Sequence, residues 1–239
     1  MEQLSLLPSK WQLASPLLIG LRSSPLSRAQ WVEFVQEVSS AMPELALSPL
    51  FLSSPGDRDK SSSLRPLEKS DFFTRDLDDA VEEGRCRLAL HSAKDLPEPL
   101  RNTLQLIALT KGLDSSDSLL LRQGDSWQQL PPSPRIGTSS QRRERAVLQL
   151  IPHAHLCDIR GTIEERIALL DGGSIDGLVI AEAALLRLAI DRPRERLPGE
   201  GAPLQGQLAL VSRRDDLEME QLFAFLDSRP FRRLAPSVG

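Results

Sequence analysis

Short apolar runs that each stop against a polar or Pro-bounded turn, alternating with amphipathic stretches, constrain this chain more than any other feature. Leu17 to Leu21 reads as a strand, and Ser27 to Val38 as a helix with Trp31, Phe34, Val35 and Val38 on one face. Leu45 to Leu52 is a second strand, Phe72 to Glu82 a second helix ended by Gly84, and Arg87 to Leu90 a third strand. That succession is βαβ grammar, which predicts an α/β fold with a largely parallel sheet. Ser53 to Ser70, rich in Ser, Pro and charge, has neither period and is expected to be a mobile loop.

After Pro97 and Pro99 the pattern restarts. Leu104 to Ala108, Ser118 to Leu121, His155 to Ile159 and Gly177 to Ile180 read as strands. Gln141 to Leu150, Ile163 to Leu170 and Glu182 to Leu188 read as helices. A last strand (Gln207 to Val211) and helix (Leu217 to Leu226) are too little for a domain of their own and must pack on an existing lobe. The expected organisation is a discontinuous first domain, residues 1–105 with 198–230, a second domain over 106–197, and a tail over 231–239. At 239 residues and 40% hydrophobic content, two lobes of roughly 100 residues each can bury real cores.

Composition narrows the partners. The N-terminal stretch MEQLSLLPSKWQLASPLLIGLR has an acidic second residue, internal prolines and no small-residue cleavage pattern, which argues against a signal peptide. No apolar run approaches the length of a membrane span, so no membrane partner is expected. Two cysteines, Cys86 and Cys157, are too few for a disulfide framework and fit a reducing cytoplasm. The net charge is −4 and the aromatic content 4%, with no Tyr, which disfavours nucleic acid. The cations are 24 Arg against 5 Lys, and six of the arginines fall between Arg135 and Arg166. Arg grips planar anions through two parallel hydrogen bonds, so this cluster in a mildly acidic chain points to a small anionic ligand.

Three features carry candidate chemistry. Thr138-Ser-Ser-Gln141 and Thr162-Ile-Glu-Glu165 both match the capping box that begins a helix, and helix starts attract anions. Arg142 and Arg143 stand beside the first, Arg160 and Arg166 beside the second. The third is LALHSAKDLPEP: its Lys94 and Asp95 lie just past the end of a presumed parallel strand, where open α/β sheets place their ligands. His91 in the same stretch reads as a packing or hydrogen-bonding residue. His153, His155 and Cys157 alternate in a way that could touch a metal, but no fourth ligand is near and no metal is expected.

Together the motifs form a family pattern. GLRSSPLSRAQ, SSPGDRDK, FFTRDLDDAVEEG, LALHSAKDLP, IGTSSQRRERAVL, DIRGTIEERIALLDGG and IDGLVIAEAALLRL occur in the order and spacing of porphobilinogen deaminases, also called hydroxymethylbilane synthases. The chain resembles that family from about Leu17 to Leu226. The resemblance implies two βα domains like those of type II periplasmic binding proteins, with the active site in the cleft between them. It further implies a transferase of tetrapyrrole (haem) synthesis, condensing four porphobilinogen units into a linear hydroxymethylbilane with release of ammonia. Its ligands would be porphobilinogen and linear polypyrroles, its cofactor a dipyrromethane primer, its state a cytoplasmic monomer. By similarity Arg22, Ser24, Lys94, Thr138, Ser140, Arg142, Arg143, Arg160, Arg166 and Arg187 would hold the acetate and propionate groups of the pyrroles. Asp95 would be the catalytic carboxylate, contacting the pyrrole N–H and stabilising the azafulvenium cation. The loop of residues 53 to 70 would gate the cleft.

The departures bear on the expected activity. The family's third domain carries the cysteine that holds the primer as a thioether, whereas this sequence ends at Gly239 and neither Cys86 nor Cys157 matches that position. The expectation is therefore a shortened form without the third domain, the primer held noncovalently or on Cys157, which lies three residues before Arg160. The family's Gly-Lys-Gly-Leu-Phe reads here Lys69-Ser70-Asp71-Phe72-Phe73, and its Gly-Gln-Gly-Ala reads Leu204-Gln205-Gly206-Gln207. The alternative expectation is a non-catalytic relative that binds a tetrapyrrole or another small polycarboxylate.

Overall fold

The computed structural model describes residues 16–59 and 70–230. The expected tail, the N-terminal stretch through residue 15, and most of the expected gating loop, Lys69 included, lie outside the described residues. Two five-stranded sheets organise the remainder.

The first sheet contains β1 (Leu17–Arg22), β2 (Leu47–Leu52), β3 (Leu88–Ser92), β4 (Leu104–Leu109) and a late strand, Leu208–Arg213, in the order β2-β1-β3-late strand-β4. The second contains β5 (Asp117–Leu120), β6 (Arg135–Gly137), β7 (His155–Cys157), β8 (Gly177–Ala181) and β9 (Arg194–Arg196), in the order β7-β6-β8-β5-β9. The late strand is thus β10. Each sheet is parallel on one side, β2-β1-β3 in the first and β7-β6-β8 in the second. Each then receives one antiparallel strand, β10 between β3 and β4, β5 between β8 and β9. The expected largely parallel sheet is therefore a mixed one. The physical reason is that the chain crosses between lobes twice, after β4 and before β10, so the strand following each crossing enters its sheet from the opposite end. β4 also runs through Leu109 in the first sheet, past residue 105 where the sequence reading divides the domains.

Helices cover both faces of each sheet. In the first lobe α1 (Pro25–Ala41) buries Phe34 and Val38, four residues apart on one face, against Ile19, Leu21, Leu88 and Leu210. Each such fully buried side chain contributes about 1.5–3 kcal/mol relative to exposure. The short helix α2 (Pro55–Arg58) follows β2. On the opposite face α3 (Arg75–Glu82) sets Leu77, Ala80 and Val81 against Ala89, Leu104 and Val211. In the second lobe α4 (Gln141–Leu150) covers one face through Ala146 and Val147. The other face is covered by α5 (Ile163–Asp171) through Leu170 and α6 (Glu182–Arg187) through Ala184 and Leu185. The last helix, α7 (Leu217–Leu222), returns to the first lobe, where Met219 and Leu222 join its core. Among the described residues no helix is long and apolar enough to cross a membrane.

Several elements differ from the sequence reading. Residues 55–58 of the expected loop form α2, because Asp57 accepts from the backbone N–H of Ser54 at 2.9 Å and closes a capping box. The expected helix from Phe72 divides into a 3-10 turn (Asp71–Phe73) and α3. β6 and β9, three residues each, are too short to show a period of two and were not separable from turns.

β1 and β3 approach closely at Gly20, where an added Cβ would lie 2.9 Å from the Cys86 sulfur. Gly20→Ala is expected to destabilise the protein by about 1–3 kcal/mol through overpacking. Cys86→Ala in the same chain should recover part of that loss in chemical denaturation. Equal stability of Gly20→Ala and wild type would contradict this packing.

Candidate functional site

Strand ends from both lobes meet at a cleft of about 430 Å³. Arg22 ends β1, Ser92 ends β3 and Ala181 ends β8, and all three line it. After Ser92 the chain turns through a 3-10 segment, Ala93–Asp95, which puts Lys94 and Asp95 on the cleft wall. Gln30 of α1 donates to the Ser92 hydroxyl at 2.7 Å, fixing the base of that turn. Among the described residues none donates a hydrogen bond to the Asp95 carboxylate.

Five cations line the cleft: Arg22, Lys94, Arg143, Arg160 and Arg166. Two helices also begin there. Ser24 caps α1, its hydroxyl accepting from Ser27 N–H at 3.2 Å, with Pro25 in the first helical position. Thr162 caps α5, accepting from Glu165 N–H at 3.3 Å while Glu165 accepts from Thr162 N–H at 2.7 Å, as the capping-box pattern implies. The N-termini of α1 and α5 thus add their partial positive charge from opposite lobes.

Each cation is held differently. Arg22 is clamped by Asp57 of α2, its guanidinium lying 4.5 Å from the centre of the Phe73 ring. Burial opposes ionisation of Asp57, but its bonds to Arg22 and Ser54 outweigh that and hold the carboxyl below its usual value. Arg160 donates to the Asp59 carbonyl at 2.6 Å, while its buried Nε has no partner among the described residues. Burial pushes the Arg160 guanidinium below its usual value against the pull of Asp59 and Asp158. Arg166 donates to the Gly161 carbonyl at 2.9 Å, and burial, then repulsion from Arg143 and Arg160, pushes it down to about 10. Lys94 donates to the Gln205 side-chain oxygen at 3.1 Å; burial, then Arg143, lowers it to about 8 against the pull of Asp95 and Asp117.

Of the residues the sequence singled out, Arg22, Ser24, Lys94, Asp95, Arg143, Arg160 and Arg166 come together here. Thr138, Ser140, Arg142 and Arg187 do not line the cleft. Ser140, not Thr138, is the cap position of α4, and the buried Thr138 accepts from Ser140 N–H at 3.4 Å, so the first expected capping box is absent. Arg142 is tied to Asp117 and to the Glu200 carbonyl. Arg187 makes a two-point pair with Glu33 of α1 at 2.6 and 2.9 Å and donates to the Gly206 carbonyl, joining the lobes. Cys157 ends β7 outside the cleft lining, and Cys86 is buried in the first lobe, where burial pushes its thiol up to about 11. His91 is buried as expected of a packing residue, Nε2 3.7 Å from Asp78, and burial lowers its imidazole to about 4.

Asp57, Asp117 and Gln205 were missed as site residues. Asp57 sits in a segment with no period. Asp117 opens an apolar strand, a position where an acid is costly unless paired, and the surplus of arginine is the signal that could have found it.

The donor set fits a ligand with several carboxylates. A deeply placed guanidinium, a second with an orphaned buried N–H, and an ammonium at depressed pKa all gain from a resident anion.

A family model described as "Porphobilinogen deaminase, dipyromethane cofactor binding domain" matches residues 17–221. A probable porphobilinogen deaminase of Chlamydia muridarum is 39% identical over 209 residues, covering 87% of this chain and 86% of the relative. A porphobilinogen deaminase of Roseiflexus is 33% identical over 223 residues, covering 90% of this chain and 73% of the relative. An ABC-transporter periplasmic substrate-binding protein from Coxiella burnetii superposes with a TM-score of 0.53 at 14% identity, covering 88% of this chain and 91% of that one. At that identity the likeness is one of fold, two βα domains of the type II periplasmic binding kind.

Lys94 gives the cleft a pH signature. It is charged below about 8, so affinity for a small dicarboxylate should fall as pH rises through that value, and Lys94→Met should flatten the profile. Stability moves the other way. The folded protein releases this proton near 8 and the unfolded chain near 10.5, so the penalty for burying the charge is full below 8 and relieved toward 10.5. Calorimetric affinities that stay constant across pH 8 in the wild type would contradict the assignment.

Proposed function

The chain belongs to the porphobilinogen deaminase family, and from that premise we propose that it condenses porphobilinogen head to tail into a linear hydroxymethylbilane, releasing one ammonia per unit and adding one water to the terminal methylene carbon when the product is freed. The observation that carries this reading is the placement of Asp95 in one cleft with five cations and two helix starts. Each porphobilinogen ring brings an acetate and a propionate, and a growing chain multiplies them. A site for such a ligand needs many cationic donors around one unpaired carboxylate.

Asp95 acts on the substrate pyrrole. Its carboxylate accepts from the ring N–H and faces the positive charge that develops on the ring and its methylene carbon as the carbon–nitrogen bond breaks and the electron pair leaves with ammonia. Because no described residue donates to Asp95, that negative charge is available to the reacting ring. Arg143 and Lys94 hold the ring carboxylates and fix the ring against Asp95. Arg22 contributes once Asp57 yields its place, which makes the segment around α2 a gate whose own carboxylate stands in for a ligand's.

A bound dipyrromethane supplies the pyrrole carbon to which the first unit is joined. Its carboxylates would be held by Arg160 and Arg166, with the orphaned Arg160 Nε open to one of them. We propose that this part of the chain holds the primer through those ion pairs. Cys157, outside the cleft lining, is not the anchor we propose.

Asp95→Asn should lower turnover of porphobilinogen on the order of 10²-fold or more while ligand binding persists. Product is followed as uroporphyrin after oxidation. Undiminished turnover in that variant, or wild-type protein that binds carboxylated pyrroles tightly without turnover, would overturn the enzymatic reading in favour of a binding role. Intact-mass measurement should show no covalent dipyrromethane that Cys157→Ala removes; a mass increment lost in that variant would overturn noncovalent holding.

A further inference from the structure

Asp117 is the first residue of β5, at the crossing from the first lobe to the second, and its carboxylate is 2% exposed. Its backbone is pinned on both sides, paired with Ala181 of β8 and accepting from Leu197 N–H at 2.9 Å. Oδ1 accepts from Arg143 Nε at 3.0 Å and Nη2 at 2.7 Å and from Gln205 Nε2 at 3.0 Å; Oδ2 accepts from Arg142 Nη2. Four donors on a carboxylate at the start of an inner strand leave it no route aside. Burial alone would favour its protonation, but the two arginines outweigh that and keep it ionised.

This one carboxylate sorts two adjacent arginines. A guanidinium is a rigid planar fork, so fixing the Nε–Nη2 edge of Arg143 fixes where the opposite edge points. Arg143 lines the cleft, and among the described residues no hydrogen bond uses its Nη1. Arg142 is turned outward, its Nη1 donating to the Glu200 carbonyl at 2.8 Å.

The same carboxylate reaches the catalytic turn. Gln205 Nε2 is surrounded by three oxygens, Ser115 O at 2.7 Å, Ser116 O at 3.1 Å and Asp117 Oδ1. Only the amide's NH₂ end fits there, which turns its oxygen to Lys94 Nζ. Lys94 is therefore placed beside Asp95 by an uncharged acceptor.

We propose that Asp117 is the positioning residue of the cleft: it aims Arg143 at a substrate carboxylate and, through Gln205, places Lys94 beside Asp95, so the second lobe sets the geometry of the catalytic turn in the first. This rests on the functional reading above and names the group that sets how the ring carboxylates register against Asp95. A carboxylate that merely competed with substrate for the arginines, or merely filled the fold, would behave otherwise.

The test compares wild type, Asp117→Asn, Arg143→Ala and the double variant by calorimetry and initial rates with porphobilinogen. Asp117→Asn should raise Kd and KM about tenfold or more, with a smaller change in kcat at saturation. The double variant should lose much less than the product of the two single losses. Tighter binding in Asp117→Asn would identify a competitor, and unchanged Kd and KM with a lowered Tm would identify a fold filler; either overturns the proposal, as would fully multiplicative losses. Should Asp117→Asn not fold, nitrogen-15 spectra of the wild type decide. The Arg143 Nε–H should be protected from exchange with and without a pyrrole that bears acetate and propionate but no aminomethyl group, and its loss on adding that pyrrole overturns the proposal. Wild-type protein that neither binds nor consumes porphobilinogen overturns the functional reading and this inference with it. Binding that Asp117→Asn leaves unmoved overturns the positioning role alone.

Discussion

Like charges crowded into one partly dry cleft are the constraint on which the rest of this structure depends. Arg22, Lys94, Arg143, Arg160 and Arg166 repel one another where water screens poorly. The fold answers with two kinds of partner. Asp57 and Asp117 neutralise Arg22 and Arg143. Lys94, Arg160 and Arg166 instead meet neutral oxygens, those of Gln205, Asp59 and Gly161. A neutral acceptor fixes direction without removing charge, so these three cations keep the potential that an anionic ligand would relieve. They are also the ones whose protonation burial makes harder, which is the expected mark of a site awaiting its counter-charge.

The two crossings of the chain make this arrangement possible. β10 and β5 each enter the opposite lobe antiparallel, which brings the strand ends of both sheets and the starts of α1 and α5 to one cleft. Residues at the crossings then bind groups from both lobes. Gln205 lies before β10 and Asp117 opens β5, and between them they connect Lys94 in one lobe to Arg143 in the other. Arg187 and Glu33 brace the same junction from α6 and α1.

Much of this was legible in the sequence because the signals were local. The alternation of strands and helices, the capped start of α5, and the Lys94–Asp95 turn at a strand end each follow from a few adjacent residues. What was not legible depends on residues far apart. Nothing near Asp57 says that it clamps Arg22, 35 residues away. Arg142 and Arg143 are neighbours of the same type, and contacts with Asp117 and the Glu200 carbonyl accompany one lining the cleft and the other not. Arg187 matched a family pattern for ligand binding, yet its two-point pair with Glu33 spans 154 residues and could not be read from either end. The clustering of arginines between Arg135 and Arg166 points to an anion, but which of them meets a carboxylate of the protein is decided by tertiary contacts.

Ammonia release tests the account most directly, since cleavage of the carbon–nitrogen bond is the step we propose for Asp95 and the cations. Purified protein supplied with porphobilinogen is predicted to liberate one ammonia for each porphobilinogen consumed. Porphobilinogen bound in the cleft with no ammonia released would contradict it.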